Sequence, residues 1–405
     1  MKNFSVKKLI ISLTAVIGLS VTTALADGHK YTVDSSNYTS YTDMLSPGQL
    51  TMFSAYPDTY KIHVYDNSGA CQIPPEIKAI SQTNGTMIND NEGFEVANVG
   101  QVPFPNPTEA QHLIWNTRMS SSLVSSVFRV ATSTNVQADG SIIIGQQETN
   151  IVFPRNPNTV SQYADKNIYA MFMQKNLGPP RSAGTTTLVH DFIDSYVQPR
   201  KAWQYNPATR RVRRAPDITY DTVLLAGGGI VVVDQYGGFN GAQDKYDWTY
   251  EGVKKMIVPA ANEALAENAI ETTHAQFHLN PDYVRYEERD VHIVHADLKP
   301  GQRHLYASRT FYVMDDDFYN LSIMDAYDDN GELMRHQIGT MIRGIEGTEA
   351  DECNIQGEFT FDFATRTYTG NNQLGTGFST VPTVYNGDEK PASFFTPDGL
   401  RRYAR

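Results

Sequence analysis

The 405-residue sequence predicts a mainly β (α+β) fold: one large antiparallel sheet with a few helices. Three observations predict it. From about residue 122 onward apolar and polar side chains alternate with a period of two, as in "SSVFRVATSTNVQADGSIIIGQQETNIVF". The alternating runs are separated by short turn signals, and such short connections join only antiparallel neighbours. The 29 glycines, 23 tyrosines and 18 phenylalanines, in a chain that is 40% hydrophobic, suit half-buried strands joined by tight turns.

In chain order, residues 1–26 have the anatomy of an export signal. Lys2, Lys7 and Lys8 precede an apolar core from Leu9 to about Leu19, and Ala24-Leu25-Ala26 offers small residues for cleavage after Ala26. The apolar stretch is short for a membrane span, and no later segment has about twenty consecutive apolar residues. The reading is an exported periplasmic protein that is not integral to a membrane. Losing residues 1–26 removes three lysines and no acid, so the formal charge moves from -12 to -15. A chain that acidic is repelled by nucleic acid unless its cations are strongly segregated.

Residues 27–106 read as a loop-rich N-terminal arm, with aromatic runs broken by Pro, Gly and Asn, laid over a core formed by residues 107–405. The core opens with a helix signal in "FPNPTEAQHLIWNTRM": Thr108 to Gln111 has the spacing of a capping box, and Leu113, Ile114 and Met119 supply an apolar side. Two strands follow around the Asp139-Gly140 turn, and "GTTTLVHDFIDSYV" is a further strand. "AGGGIVVVDQYGGFNG" reads as a turn and a buried strand, since no basic residue or helix start follows to hold a phosphate. "AANEALAENAIETTHAQF" reads as one helix. A meander runs from "DVHIVHADL" to "MRHQI", with turns at Lys299-Pro300-Gly301, Asp315 to Asp317 and Asp328 to Gly331. Leu305, Arg309, Phe311 and Val313 fall on one face there, and "GEFTFDFATRTYTG" sets Phe359, Phe361 and Phe363 on one side.

The stretch "RKAWQYNPATRRVRRAP" carries four crowded arginines, Arg210, Arg211, Arg213 and Arg214. Alternation makes it a hairpin turning at Asn206-Pro207, with Trp203 and Tyr205 on one face of the first strand and an outer face that is cationic. Such a face keeps a strand soluble and blocks edge pairing, or docks an acidic partner or lipid headgroups. The two cysteines, Cys71 and Cys353, suggest one disulfide closing a long loop in an oxidising compartment, with two unpaired thiols as the alternative.

The chain has no G-x-S-x-G elbow, HExxH or Walker loop. His292, His295 and His304 cluster in sequence, yet alternation puts His292 and His295 on opposite faces, against a shared metal site. "DAYDDNGE" lacks the spacing of a calcium loop. No cofactor and no metal are expected.

Segments distributed over nearly the whole mature chain carry a resemblance. "LSPGQLTMFSAYPDTYKIHVY", "VPFPNPTEAQHLIWN", "RKAWQYNPATRRVRRAP", "GGFNGAQDKYDW" and "RYEERDVHIVHADLKPGQRHLYASRTFYVMDDDFYNLSIMDAYDDNGEL" together resemble the DUF1329 family of exported Gram-negative proteins. That family is similar to the carrier fold of outer-membrane lipoprotein sorting. The resemblance implies a strongly curved antiparallel sheet, a half-open barrel, with helices covering its mouth. It also implies a non-catalytic role in binding or transferring a hydrophobic molecule, together with an envelope exporter or outer-membrane protein. Moving an acyl chain through water costs about 0.8 kcal/mol per CH₂, so sheltering one in a hollow is a physical task in itself. Trp203, Tyr205, Phe311, Val313, Phe359, Phe361 and Phe363 are the expected lining. The alternatives are a secreted hydrolase or lipid-modifying enzyme with an unfamiliar site, resting on the histidines, and a structural or adhesive envelope protein resting on the cationic hairpin.

Overall fold

The computed structural model describes residues 28–73, 75, 87–88, 94–95, 102–120, 124–154, 156, 159, 167–193, 198–215, 221–224, 228–343, 353–381, 383–387 and 389–405. The expected export signal lies outside the described residues.

Eighteen strands are described. They are β1 (His29–Val33), β2 (Ile62–Tyr65), β3 (Met87–Ile88), β4 (Phe94–Glu95), β5 (Ser126–Val136), β6 (Ile142–Val152), β7 (Ile168–Gly178), β8 (Thr186–Phe192) and β9 (Lys201–Asn206). There follow β10 (Arg211–Arg214), β11 (Tyr246–Pro259), β12 (Arg285–Leu298), β13 (Ser308–Met314), β14 (Leu321–Tyr327), β15 (Leu333–Arg343), β16 (Cys353–Asp362), β17 (Thr367–Gln373) and β18 (Val384–Tyr385). The α-helices are α1 (Pro47–Ala55), α2 (Ala110–Ser120), α3 (Glu263–Glu267), α4 (Ile270–Thr273) and α5 (Pro397–Tyr403).

Sixteen strands form one sheet in the order β1-β2-β12-β13-β14-β15-β16-β17-β5-β6-β7-β8-β9-β10, with β11 beside β12 and β18 beside β5. The pairings are antiparallel except that of β2 with β12. The sheet is strongly curved and does not close, so the predicted half-open architecture is the observed one. β3 and β4 form a separate two-stranded ribbon.

The strands from β12 to β17 are covered on both faces, which is why alternation there gives apolar residues on each side. On β13, Tyr312 and Met314 join a core with Phe359, Phe361, Tyr286 and the α1 residues Met52 and Phe53. Phe311 and Val313 join a second core with Leu113 and Ile114 of α2, Phe239 and Tyr246. Among the described residues of the 27–106 segment, two strands join the sheet itself. β1 and β2 extend the sheet, and α1 packs on it. α1 begins with a reciprocal cap, in which Ser46 accepts from the Gln49 N–H and the Gln49 side chain accepts from Ser46, with Pro47 in the first turn. Gly48 donates its N–H to Asp325 Oδ2 at 2.8 Å, so close an approach that a side chain there would meet Asp325 and His336.

Cys71 and Cys353 form a disulfide, with Cα atoms 5.5 Å apart, that ties the segment after β2 to the start of β16. Two sequence expectations are corrected. The single helix expected across 260–277 is two short ones, because Asn268 between them is extended and its Nδ2 donates to the Ala264 carbonyl at 2.8 Å, ending α3. The strand expected in "AGGGIVVVDQYGGFNG" is buried but forms an isolated bridge between Val223 and Val232 and a 3-10 turn at Val233–Gln235.

Candidate functional site

A cavity of about 1100 Å³ lies against the inner face of β5 to β9. Its other walls come from Thr117 and Arg118 of α2, the 228–240 segment through Val233, Tyr236 and Phe239, Phe318 in the turn between β13 and β14, and β16 through Ile355 and Glu358.

Strand register orders the lining into rows, because side chains directly opposite one another on paired strands share a face. One row, Val127, Ile151, Phe172 and Val189, is apolar: Val127 pairs with Ile151, Ile151 with Phe172, and Phe172 with Val189. The apolar end continues into a core of Trp115, Met119, Val124, Phe153, Tyr169 and Tyr385 beneath α2. The next row on the same face is polar. Arg129 pairs with Thr149, Thr149 with Gln174, Gln174 with Thr187, and Thr187 with Gln204. Across β9, Gln204 pairs with Arg213.

Arg129 Nη2 donates to Asn372 Oδ1 at 3.1 Å, while its Nε is buried with no partner among the described residues. Burial holds its guanidinium below the ordinary range, against the pull of Tyr385 and Glu358. Glu358 accepts from the Gly238 N–H at 3.0 Å, Asn372 Nδ2 at 3.2 Å and Gln337 Nε2 at 3.3 Å. Burial nevertheless pushes its carboxyl up to about 7. Asp191, the other lining carboxylate among the described residues, is clamped by Arg200, whose Nη2 lies 3.1 Å from Asp191 Oδ2.

The 228–240 wall is anchored by a buried ion pair. Arg309 donates through Nη1 and Nη2 to the two oxygens of Asp234, both at 3.0 Å, and His304 Nε2 lies 3.1 Å from Asp234 Oδ2. The guanidinium is ringed by Phe239, Tyr246, Tyr306 and Phe311 at 4.6 to 5.7 Å. Burial works to raise the Asp234 carboxyl, but Arg309 and His304 outweigh it and bring it to about 2.

The structure places the seven expected lining residues elsewhere than this cavity. Trp203 and Tyr205 lie on the opposite face of β9, packed with Leu188, Phe395 and Leu400 of the α5 region. Phe311 and Val313 pack beneath α2, and Phe359 and Phe361 pack in the core shared with α1, with half-buried Phe363 against it. Of the basic hairpin, Arg210 stands in the turn with a positive φ of 54°, and Arg211, Arg213 and Arg214 are exposed. Arg213 shares the inner face with Gln204, whereas Arg214 pairs with Trp203. The arginines of β10 therefore divide between its two faces, Arg213 on the side of Gln204 and Arg214 on the side of Trp203.

The three histidines are not brought together. His292 contacts Tyr250 Oη at 2.8 Å and Asp315 at 3.1 Å, His295 contacts Thr310 at 3.0 Å, and His304 serves Asp234. Among the described residues no group of three or more His, Cys, Asp or Glu is placed to hold a metal ion. The polar row escaped sequence reading, although "GQQETN" in β6 carried a signal: a central strand with polar residues on both faces.

The model of a family described as protein of unknown function (DUF1329) matches residues 32–401. A protein of Pseudomonas aeruginosa, described as uncharacterized protein PA3922, is 36% identical over 313 residues, covering 75% of this chain and 68% of its own length. Among solved structures, a DUF1329 family protein from Desulfovibrio piger is 14% identical at a TM-score of 0.48, covering 71% of this chain and 96% of its own. A LolA superfamily protein, NE2245 from Nitrosomonas europaea, is 10% identical at 0.42, covering 72% of this chain and all (100%) of its own.

Proposed function

The chain belongs to the DUF1329 family, and we propose that it is a non-catalytic protein that binds and transfers a hydrophobic molecule, a lipid or acyl chain, held in the cavity against β5 to β9. The observation that carries this is the cavity itself. At about 1100 Å³ it stands at the upper end of ligand sites, which run to roughly 1,000 Å³. It also contains an apolar row backed by an apolar core at one end. Each CH₂ sheltered there is worth about 0.8 kcal/mol, so a chain of a dozen carbons contributes on the order of 10 kcal/mol of transfer free energy before ordering costs.

The setting proposed is the periplasm, reached through the signal at residues 1–26, with an envelope exporter or outer-membrane protein as partner. Among the described residues no helix is long and apolar enough to cross a membrane. Arg210, Arg211, Arg213 and Arg214, exposed at one end of the sheet, are the proposed docking face for that partner or for lipid headgroups.

Native mass spectrometry and solvent extraction of the purified mature chain test the reading. A co-purifying lipid, or a stoichiometric mass shift on adding fatty acid, is expected. Protein that carries no lipid and shows no shift with fatty acids or sterols overturns it.

A further inference from the structure

The lining has a second property, independent of its size: it is divided. The apolar row of Val127, Ile151, Phe172 and Val189 lies one register step from the polar row of Arg129, Thr149, Gln174, Thr187 and Gln204. Such a step on one face spans two residues of strand, roughly 7 Å. A purely hydrocarbon guest would leave the polar row desolvated and unpaired, at a cost for each group. A water-soluble guest would waste the apolar row. The wall matches a molecule with both parts.

The charge of the wall narrows the polar part. Among the described residues four arginines line the cavity, Arg118, Arg129, Arg181 and Arg200, against two carboxylates, Asp191 and Glu358. The chain as a whole is formally -12. Of the carboxylates, Asp191 is held by Arg200, and Glu358 is engaged by three donors. Arg129 heads the polar row with one hydrogen bond, to the neutral Asn372, and an Nε without a partner among the described residues. Exposed Arg213 lies at the far end of the same row.

We infer that the ligand is an anionic amphiphile, with its apolar chain along Val127, Ile151, Phe172 and Val189 and an oxyanion headgroup, carboxylate or phosphate, at Arg129 on the Gln174 and Thr187 row. Guanidinium to oxyanion bonds are about twice as strong as neutral ones, so Arg129 supplies selectivity for the head while the apolar row supplies affinity. The inference rests on the carrier reading above and specifies its cargo.

The test uses delipidated mature protein and three probes sharing one sixteen-carbon chain, titrated below their micellar concentrations: palmitate, hexadecyl phosphate and 1-hexadecanol. At least one anion is expected to bind tenfold or more tightly than the alcohol. In Arg129→Gln that advantage falls at least fivefold. Whichever anion binds more tightly names the oxyanion, and either result supports the inference. Gln174→Leu with Thr187→Val, which extends the apolar row without touching Arg129, is expected to strengthen hexadecanol and weaken the anions. It also serves if Arg129→Gln fails to fold. Equal binding of all three probes to the native chain overturns the anionic head and leaves the carrier reading standing. Binding of none overturns both.

Discussion

Replacing Asp234 by Asn keeps the shape of the side chain and removes its charge, which isolates what the ion pair behind the cavity wall contributes. Arg309 would then sit with its charge uncompensated, fully buried among Phe239, Tyr246, Tyr306 and Phe311. Removing one partner of a buried pair costs about 3–5 kcal/mol. A second route gives the same order. A carboxyl held at about 2 against an ordinary 3.8 corresponds to about 2 kcal/mol of preference for the ionised form. Because the folded value is the lower one, that contribution is present above pH 3.8 and fades as pH falls through about 2. The assay is urea unfolding at pH 7, followed by tryptophan fluorescence, for native chain, Asp234→Asn, Arg309→Met and the double variant. Each single variant is expected to lose about 3 kcal/mol or more, and the double variant clearly less than their sum, since it leaves no stranded charge. A loss below about 1 kcal/mol for Asp234→Asn, or strictly additive losses, would refute the argument that the pair anchors Val233 to Asn240.

Three further outcomes follow from particular contacts. Gly48→Ala drives a methyl group into His336 and Asp325 and displaces the N-terminus of α1, so a loss of about 3 kcal/mol is expected in the same unfolding assay; an unchanged midpoint would mean that α1 is free to shift. Replacing Cys71 and Cys353 by Ser is expected to cost about 2–5 kcal/mol, read as a lowered urea midpoint that added reductant does not lower further. His274 is buried between Phe359, Tyr368 and Phe378, and burial takes its imidazole from 6.5 down to about 4. The unfolded chain binds more protons in that interval, so stability falls from pH 6.5 towards pH 4, by up to about 3 kcal/mol from this residue. His274→Gln should flatten that part of the pH profile, and an equally steep profile in the variant would assign the loss to other groups.

Much of the architecture was legible because antiparallel hairpins announce themselves locally. The Asp139-Gly140 turn, the Asn206-Pro207 turn and the three acidic or Pro-Gly turns of the meander each stand between the strands they predict. The two cysteines admitted a pair, and the pair exists. The site was less legible for a physical reason. Alternation separates the two faces of a strand but does not say which is concave, nor what covers the other. Trp203 and Tyr205 looked like a greasy lining, yet the C-terminal helix takes that face. Thr149, Gln174 and Thr187, which the sequence reading did not single out, line the cavity. Phe311 and Phe359 belong to strands buried on both sides, where aromatic residues mark packing rather than a hollow.

The disulfide also bears on how the molecule matures. Its partners are 282 positions apart, and the chain contains no other cysteine. The first thiol must wait until most of the polypeptide has emerged before its mate arrives. When it does, there is just one intramolecular pairing to make. Maturation therefore calls for an oxidant and has no scrambled isomers to sort.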